Sequence, residues 1–265
     1  MSPPESGLFE ALREAVSAGR PVALATIVSG PGIGAKLLID AAGGARGALA
    51  DPELARVVAR DAHAELLAGR SGLRHYGLRG EARQSEVAVF VESFAPPPRM
   101  LVFGAVDFTA ALVRVAVVLG YRVTVCDARP VFATRARFPE AEQVICAWPH
   151  EHLAAVGPEL GPRDAICVLT HDPKFDVPAV VAALRTRAGY LGCMGSRRTC
   201  ERRAERLREE GVGEAELARI CAPIGLDLGG RTPEETAISI CAEIIARRGG
   251  RATTSLRETR GPIHG

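Results

Sequence analysis

The sequence predicts an α/β protein whose C-terminal part is a Rossmann-like parallel sheet with helices on both faces, preceded by a smaller N-terminal α+β domain. Three observations predict it. Beyond residue 98, short apolar runs at 99–103, 122–126, 143–146, 164–170 and 190–194 alternate with helical stretches, the pattern of a covered parallel sheet. The first run ends at Gly104 and leads into an apolar helix, 110–119, closed by Gly120, the outline of a nucleotide-binding βα turn. Pro96-Pro97-Pro98 forms a stiff spacer with no backbone donors for a sheet, which divides the chain into a domain at 1–95, a linker at 96–98 and a domain at 99–248.

In the first domain, residues 5–18 read as a helix ended by Gly19, and 21–28 and 35–40 as strands. Glycine-rich connections occupy 29–34 and 41–50. Asp51-Pro52-Glu53 opens a helix to about residue 68, with aspartate as N-cap, proline in the first helical position and Gly69 after the end. His63 lies on that helix and is read as a packing or surface residue. Strands at 73–78 and 86–94 complete the unit. In the second domain, Ser196 caps a helix to about 210, a short helical stretch follows at 214–219, and Thr232 with Glu235 forms a capping box ahead of a helix to about 247. Residues 249–265 carry little apolar content and are expected to be a mobile tail.

Composition excludes several function classes. At 265 residues, 47% hydrophobic and 24% charged, the chain can bury a real core. With 33 basic against 31 acidic residues and no polybasic block, neither nucleic acid nor a membrane surface is an expected partner. Only Lys36 and Lys174 are lysines; the remaining 31 basic residues are arginines. No basic leader opens the chain and no run of about 18 apolar residues occurs, so a cytoplasmic protein is expected. Seven cysteines without a C-x-x-C pair indicate neither a disulfide framework nor a zinc site, and most are expected in cores.

The Gly104 turn departs from the dinucleotide pattern. G-x-G-x-x-G/A asks for small residues at 104, 106 and 109, and the chain has Gly104, Val106 and Thr109. Val106 crowds the approach of a pyrophosphate, and Asp107 is expected to cap the free N–H groups and repel its charge. Ligands of such sheets bind beyond the carboxyl ends of the strands, so the residues after each strand are candidates together. Asp127 and Arg129 follow the second strand, with Asp127 23 residues beyond Gly104, close to the spacing of a ribose-binding acid. Thr170-His-Asp-Pro-Lys-Phe-Asp176 follows the fourth, with five polar or ionisable side chains in seven residues. Asp176 is expected to N-cap a helix from Val177. Thr170, His171, Asp172 and Lys174 have no evident folding role, and His171 with Asp172 could relay protons or orient a ring, although neighbours on an extended segment point to opposite sides. Gly195, Ser196, Arg197 and Arg198 follow the fifth strand and form a helix start suited to an anion. Asp227 is an acid expected to be buried in an otherwise apolar loop.

Four strings, VTVCDARPVFATRARFP (123–139), THDPKFDVPAVVAAL (170–184), GYLGCMGSRRT (189–199) and PIGLDLGGRTPEETAISICAEI (223–244), together resemble the XdhC/CoxI family. The resemblance spans the C-terminal domain and, more thinly, the N-terminal one. It implies a maturation chaperone, rather than an enzyme, for molybdenum hydroxylases of the xanthine dehydrogenase or CO dehydrogenase type. Such proteins bind the molybdenum cofactor (molybdopterin), a pterin carrying a phosphate. They support its sulfuration by a cysteine desulfurase and pass it to the apo-enzyme, usually as homodimers. Under that reading, edge placement and charge assign the phosphate to Arg197 and Arg198 with the Ser196 helix start that follows Gly195, and the pterin pocket to the 170–176 loop and Asp227. Gly104, Asp127 and Arg129 stand at the same edge as further cofactor-binding candidates; no catalytic or metal-ligating residue is predicted.

The chain departs from the family where a GAG turn becomes Gly104-Ala-Val-Asp107. A Gly-Ser-x-Pro-Arg loop shortens to 30–34 ahead of Ala35-Lys36, and a cysteine-bearing glycine turn becomes 47–51 with no cysteine. If that cysteine handles sulfur or molybdenum, these departures point to a divergent branch with a narrower role. Two other readings stay open: an NAD(P)-dependent oxidoreductase using the Rossmann domain, and a scaffold that docks on a hydroxylase without binding cofactor.

Overall fold

A computed structural model describes residues 5–82 and 84–260. The chain forms two compact units, divided between Pro96 and Pro97. The first contains α1 (Glu5–Ser17), β1 (Val22–Ser29), β2 (Lys36–Asp40), β3 (Ala45–Gly47), α2 (Pro52–Ala68), β4 (Gly72–Tyr76) and β5 (Val87–Phe94). Its strands form an antiparallel sheet in the order β3-β2-β1-β5-β4. Alternation along β1 sends Ala23, Ala25 and Ile27 to the face covered by Val58, Ala62 and Leu66 of α2. Val22 and Leu24 go to the other face, with Leu12 and Ala15 of α1. Asp51 caps α2 as expected, its Oδ1 accepting the Leu54 N–H at 2.9 Å, and Gly69 ends it in the left-handed region. The connection expected at 41–50 contains β3, a strand of three exposed residues too short to show alternation.

The second unit runs β6 (Arg99–Phe103), α3 (Asp107–Val118), β7 (Arg122–Cys126), β8 (Gln143–Ile145), α4 (Pro149–Val156), β9 (Ala165–Val168), α5 (Pro173–Leu184), β10 (Tyr190–Cys193), α6 (Arg197–Glu209), α7 (Glu214–Leu217), β11 (Ile220–Cys221) and α8 (Pro233–Gly249). All six strands are parallel, ordered β11-β10-β9-β6-β7-β8. The chain therefore starts in the middle, builds to one edge, crosses over and builds to the other, the doubly wound arrangement expected of the Rossmann fold. Period-two alternation feeds two cores. Met100 and Val102 pack with Leu112 of α3 and Ile240 and Ile244 of α8, whereas Leu101 and Phe103 pack with Leu153 of α4, Val180 of α5 and Leu207 of α6.

The two-residue β11 went unpredicted, being hidden at the end of a short helical stretch. Helix α3 begins three residues earlier than its apolar run suggests, because Asp107-Phe-Thr109 already forms its first turn. Of the predicted tail, residues 250–260 contain one 3₁₀ turn, Leu256–Glu258, and 261–265 lie outside the described residues. Among the described residues no helix is long and apolar enough to cross a membrane.

Candidate functional site

Strands β6 and β9 are neighbours at which the winding of the sheet reverses, so their carboxyl ends open the crevice where such sheets take ligands. Gly104 and Thr170 face each other there. Gly104 has φ +111°, and a Cβ at this position would lie 2.9 Å from the Thr170 backbone nitrogen. Only glycine meets both demands.

The Ala105 and Val106 N–H groups of the Gly104 turn are already engaged. The Ala105 N–H donates to Asp127 Oδ2 at 2.8 Å, and the Ala105 carbonyl accepts from Arg137 Nη1 at 2.9 Å. The Thr109 hydroxyl accepts the Val106 N–H at 3.3 Å and donates to the Gly104 carbonyl. This corrects the expectation for Asp107. Its side chain is 93% exposed and lies 3.7 Å from Arg137, while Thr109 supplies the capping oxygen. The hydroxyl wins because it stands one turn in, aimed back at the turn.

Asp127 is buried, and both its oxygens are occupied. Arg129 donates to Oδ1 through its backbone N–H and Nε, each at 2.9 Å, and to Oδ2 through Nη2 at 2.8 Å. Burial pushes this carboxyl up, but the hydrogen bonds from Arg129 and from the Ala105 N–H outweigh it and hold it below the usual carboxylate range. Asp127 thus closes the βα turn in the place where the sequence suggested a ribose acid. Its stabilisation is fully present above the unfolded carboxyl pKa and is lost as pH falls through the lower folded value. Asp127→Asn should therefore lower Tm at neutral pH, and the gap to the wild type should narrow steadily on acidification toward pH ~3. A gap independent of pH in thermal scans would contradict this.

The 170–176 loop divides differently from its sequence reading. Helix α5 begins at Pro173, and Asp172 is its cap, with Oδ1 accepting the Lys174 N–H at 3.0 Å. Asp176, expected as the cap, is instead buried in the first turn. It accepts from the Thr170 hydroxyl and, at 2.9 Å, from Arg203 Nη2 of α6. Arg203 also donates to the Met194 carbonyl at 2.8 Å, so one guanidinium joins the ends of β9 and β10. Burial pushes the Asp176 carboxyl up, opposed by the Thr170 and Arg203 hydrogen bonds. Thr170 and Asp172 therefore carry folding roles that the sequence did not reveal. His171 is exposed, makes no hydrogen bond with the described residues, and is not joined to Asp172. Lys174 Nζ lies 4.9 Å from the ring centre of Trp148 and 5.5 Å from that of Phe175.

Ser196 caps α6 as expected, its hydroxyl accepting the Thr199 N–H at 3.2 Å, after Gly195 at φ +153°. Arg197 and Arg198 are exposed, and neither has an ion-pair partner among the described residues. Asp227, expected to be buried, is exposed. Its loop is held from below, where Glu243 Oε2 accepts the Gly225 N–H at 2.9 Å and the Tyr190 hydroxyl at 2.6 Å, and Ser239 bonds to Leu226. The carboxyl edge thus brings together Gly104, Thr170, Asp127 and Arg129, while Arg197, Arg198 and Asp227 project from the neighbouring loops after β10 and β11.

Four residues at this edge were missed. Arg137, Arg203 and Glu243 act across long sequence separations and leave no local pattern. Trp148 stands three residues beyond the end of β8, and the rule of inspecting residues after each strand would have found it. Five of the cysteines (126, 167, 193, 221 and 241) are buried, Cys200 is half-buried and Cys146 is exposed. Burial pushes the Cys126 and Cys193 thiols up to about 12. Among the described residues no group of three or more His, Cys, Asp or Glu side chains could hold a metal ion.

Residues 100–244 match the family described as the XdhC Rossmann domain, and residues 15–77 match the XdhC and CoxI family. A Bacillus subtilis protein described as a probable subunit of xanthine dehydrogenase is 33% identical over 60% of this chain and 46% of its own length. "Molybdenum cofactor insertion chaperone PaoD" of Escherichia coli is 26% identical over 60% of this chain and 43% of its own. A crystal structure described as a xanthine dehydrogenase from Bacillus halodurans has TM-score 0.54 at 19% identity, covering 94% of this chain and 97% of that one, which bears on the fold alone. The chain spans less than half the length of these curated relatives.

Proposed function

Because the chain belongs to the XdhC and CoxI family, we propose that it binds the molybdenum cofactor and hands it to the apo form of a xanthine dehydrogenase or CO dehydrogenase-type molybdenum hydroxylase. In this reading the chain works as a homodimer and presents the cofactor to a cysteine desulfurase for sulfuration before transfer. The cofactor supplies the molybdenum chemistry; the chain's residues bind and orient it. The observation that carries the reading is the start of α6, where Arg197 and Arg198 stand exposed without ion-pair partners among the described residues, beside the Ser196 cap. A phosphate needs such unspent donors, and at the Gly104 turn the Ala105 and Val106 N–H groups are already taken. The half-buried rings of Trp148 and Phe175 suit the planar end of a pterin. The donor set therefore fits the group.

The strand order favours a second reading, a nicotinamide-dependent oxidoreductase. Val106 at the phosphate approach and the Asp127 carboxylate on the Ala105 N–H oppose it. Titration of the purified chain with molybdenum cofactor, NAD(H) and NADP(H), together with a search for copurified pterin, separates the two. Cofactor binding with no nicotinamide binding is expected; tight nicotinamide binding with hydride transfer and no pterin affinity would sink the proposal. Replacing Arg197 and Arg198 by alanine should weaken cofactor binding by about 10- to 100-fold, the loss of charge-assisted phosphate bonds. Unchanged affinity would remove the phosphate assignment, and a chain that binds no cofactor but still docks on a hydroxylase would be a scaffold.

A further inference from the structure

We infer that Trp148, Phe175 and Lys174 form a stacking subsite for the planar ring of the bound pterin; this rests on the cofactor reading above. Trp148 is the only tryptophan of the chain. It occupies the N-cap of α4, where Ser, Thr, Asp or Asn would be favoured, and its side chain makes no capping bond. Phe175, in the first turn of α5, packs on it with ring centres 5.0 Å apart and planes tilted by 42°. Both rings are only half-buried. Packing of α4 on α5 accounts for their mutual contact but leaves the exposed Lys174 ammonium, poised over both rings, unexplained.

That ammonium has no hydrogen bond or ion pair with the described residues, in a chain that has only two lysines. An exposed cation–π contact is weak enough to be exchanged for a ligand. A flat heteroaromatic ring bearing a carbonyl oxygen meets both features at once, its face on the indole and its oxygen on the ammonium. Trp148 follows β8, and Lys174 and Phe175 follow β9, so rings and cation stand at the carboxyl ends of two strands of the same parallel sheet. A compact, flexible ammonium suits a single ring oxygen better than a guanidinium fork would.

The test uses the full chain and two probes: neopterin monophosphate, a phosphorylated pterin without metal, and inorganic phosphate. Because Trp148 is the sole tryptophan, its emission reports this position alone. The pterin should quench it, and phosphate should not. Calorimetric Kd for the pterin should rise about tenfold in Phe175→Leu and in Lys174→Ala, the scale of a lost ring stack, while the affinity for phosphate stays unchanged. Lys174 is exposed, so its variant keeps the fold. Unchanged Trp148 emission and unchanged Kd in both variants, in a wild-type chain that binds molybdenum cofactor, would overturn the subsite and leave the cofactor reading standing. A wild-type chain that binds no molybdenum cofactor would overturn that reading, and the subsite with it.

Discussion

Replacing Asp176 by alanine is expected to destabilise the second unit by about 3–5 kcal/mol, the usual consequence of leaving one charge of a buried pair without its partner. The Asp176 and Arg203 side chains are 3% and 5% exposed, too enclosed for water to take the missing partner's place. Arg203 has little in reserve, since its Nη1 is buried without a hydrogen-bond partner among the described residues even in the intact pair. Removing Asp176 leaves that guanidinium with the Met194 carbonyl and the Cys200 side chain, and frees the Thr170 hydroxyl as well. The double replacement Asp176→Leu with Arg203→Met should recover much of the loss, because two apolar groups need no partners. Urea unfolding of the wild type, both single variants and the double variant gives the coupling energy directly. A single-variant loss below about 1 kcal/mol would mean that the pair contributes no more than a surface bridge.

Gly104→Ala is expected to destabilise by about 1–3 kcal/mol through backbone strain alone, and further through the close approach to Thr170. Gly120 separates the two effects. It has φ +81° but nothing within 4 Å of a built Cβ, so Gly120→Ala carries the strain without the contact. The excess of the first variant over the second, read from denaturation midpoints, measures how tightly β6 and β9 close at the switch point. Equal losses would show that the turn can open without consequence.

The fold was largely legible in the sequence because its signals are local. Apolar runs of strand length, Gly104 and Gly120 around α3, the Asp51 and Ser196 caps and the Thr232–Glu235 box each depend on residues within one or two turns, and the structure bears them out. The elements that escaped, β3 and β11, are three and two residues long and exist only through pairing with a neighbour. The candidate site was legible as an edge but not as a set of bonds. Asp172 and Asp176 are both acids close to a proline, and composition cannot say which one caps the helix. That choice is made by Arg203, which draws Asp176 inward from 27 residues away. Likewise, nothing near Asp127 announces that the Ala105 N–H will occupy it. Asp227 was misjudged because apolar neighbours suggest burial, whereas Ile224 and Leu226 are only half-buried and Leu228 is exposed together with the acid.

The placement of the thiols bears on how this protein can be handled and labelled. Enclosure and high pKa values keep Cys126 and Cys193 out of reach of alkylating reagents near neutral pH, while Cys146 alone stands exposed. Cys146 follows β8 and precedes Trp148 by two residues. One mild labelling step on the native chain would therefore set a reporter dye beside the indole, at the carboxyl edge, without introducing a new cysteine.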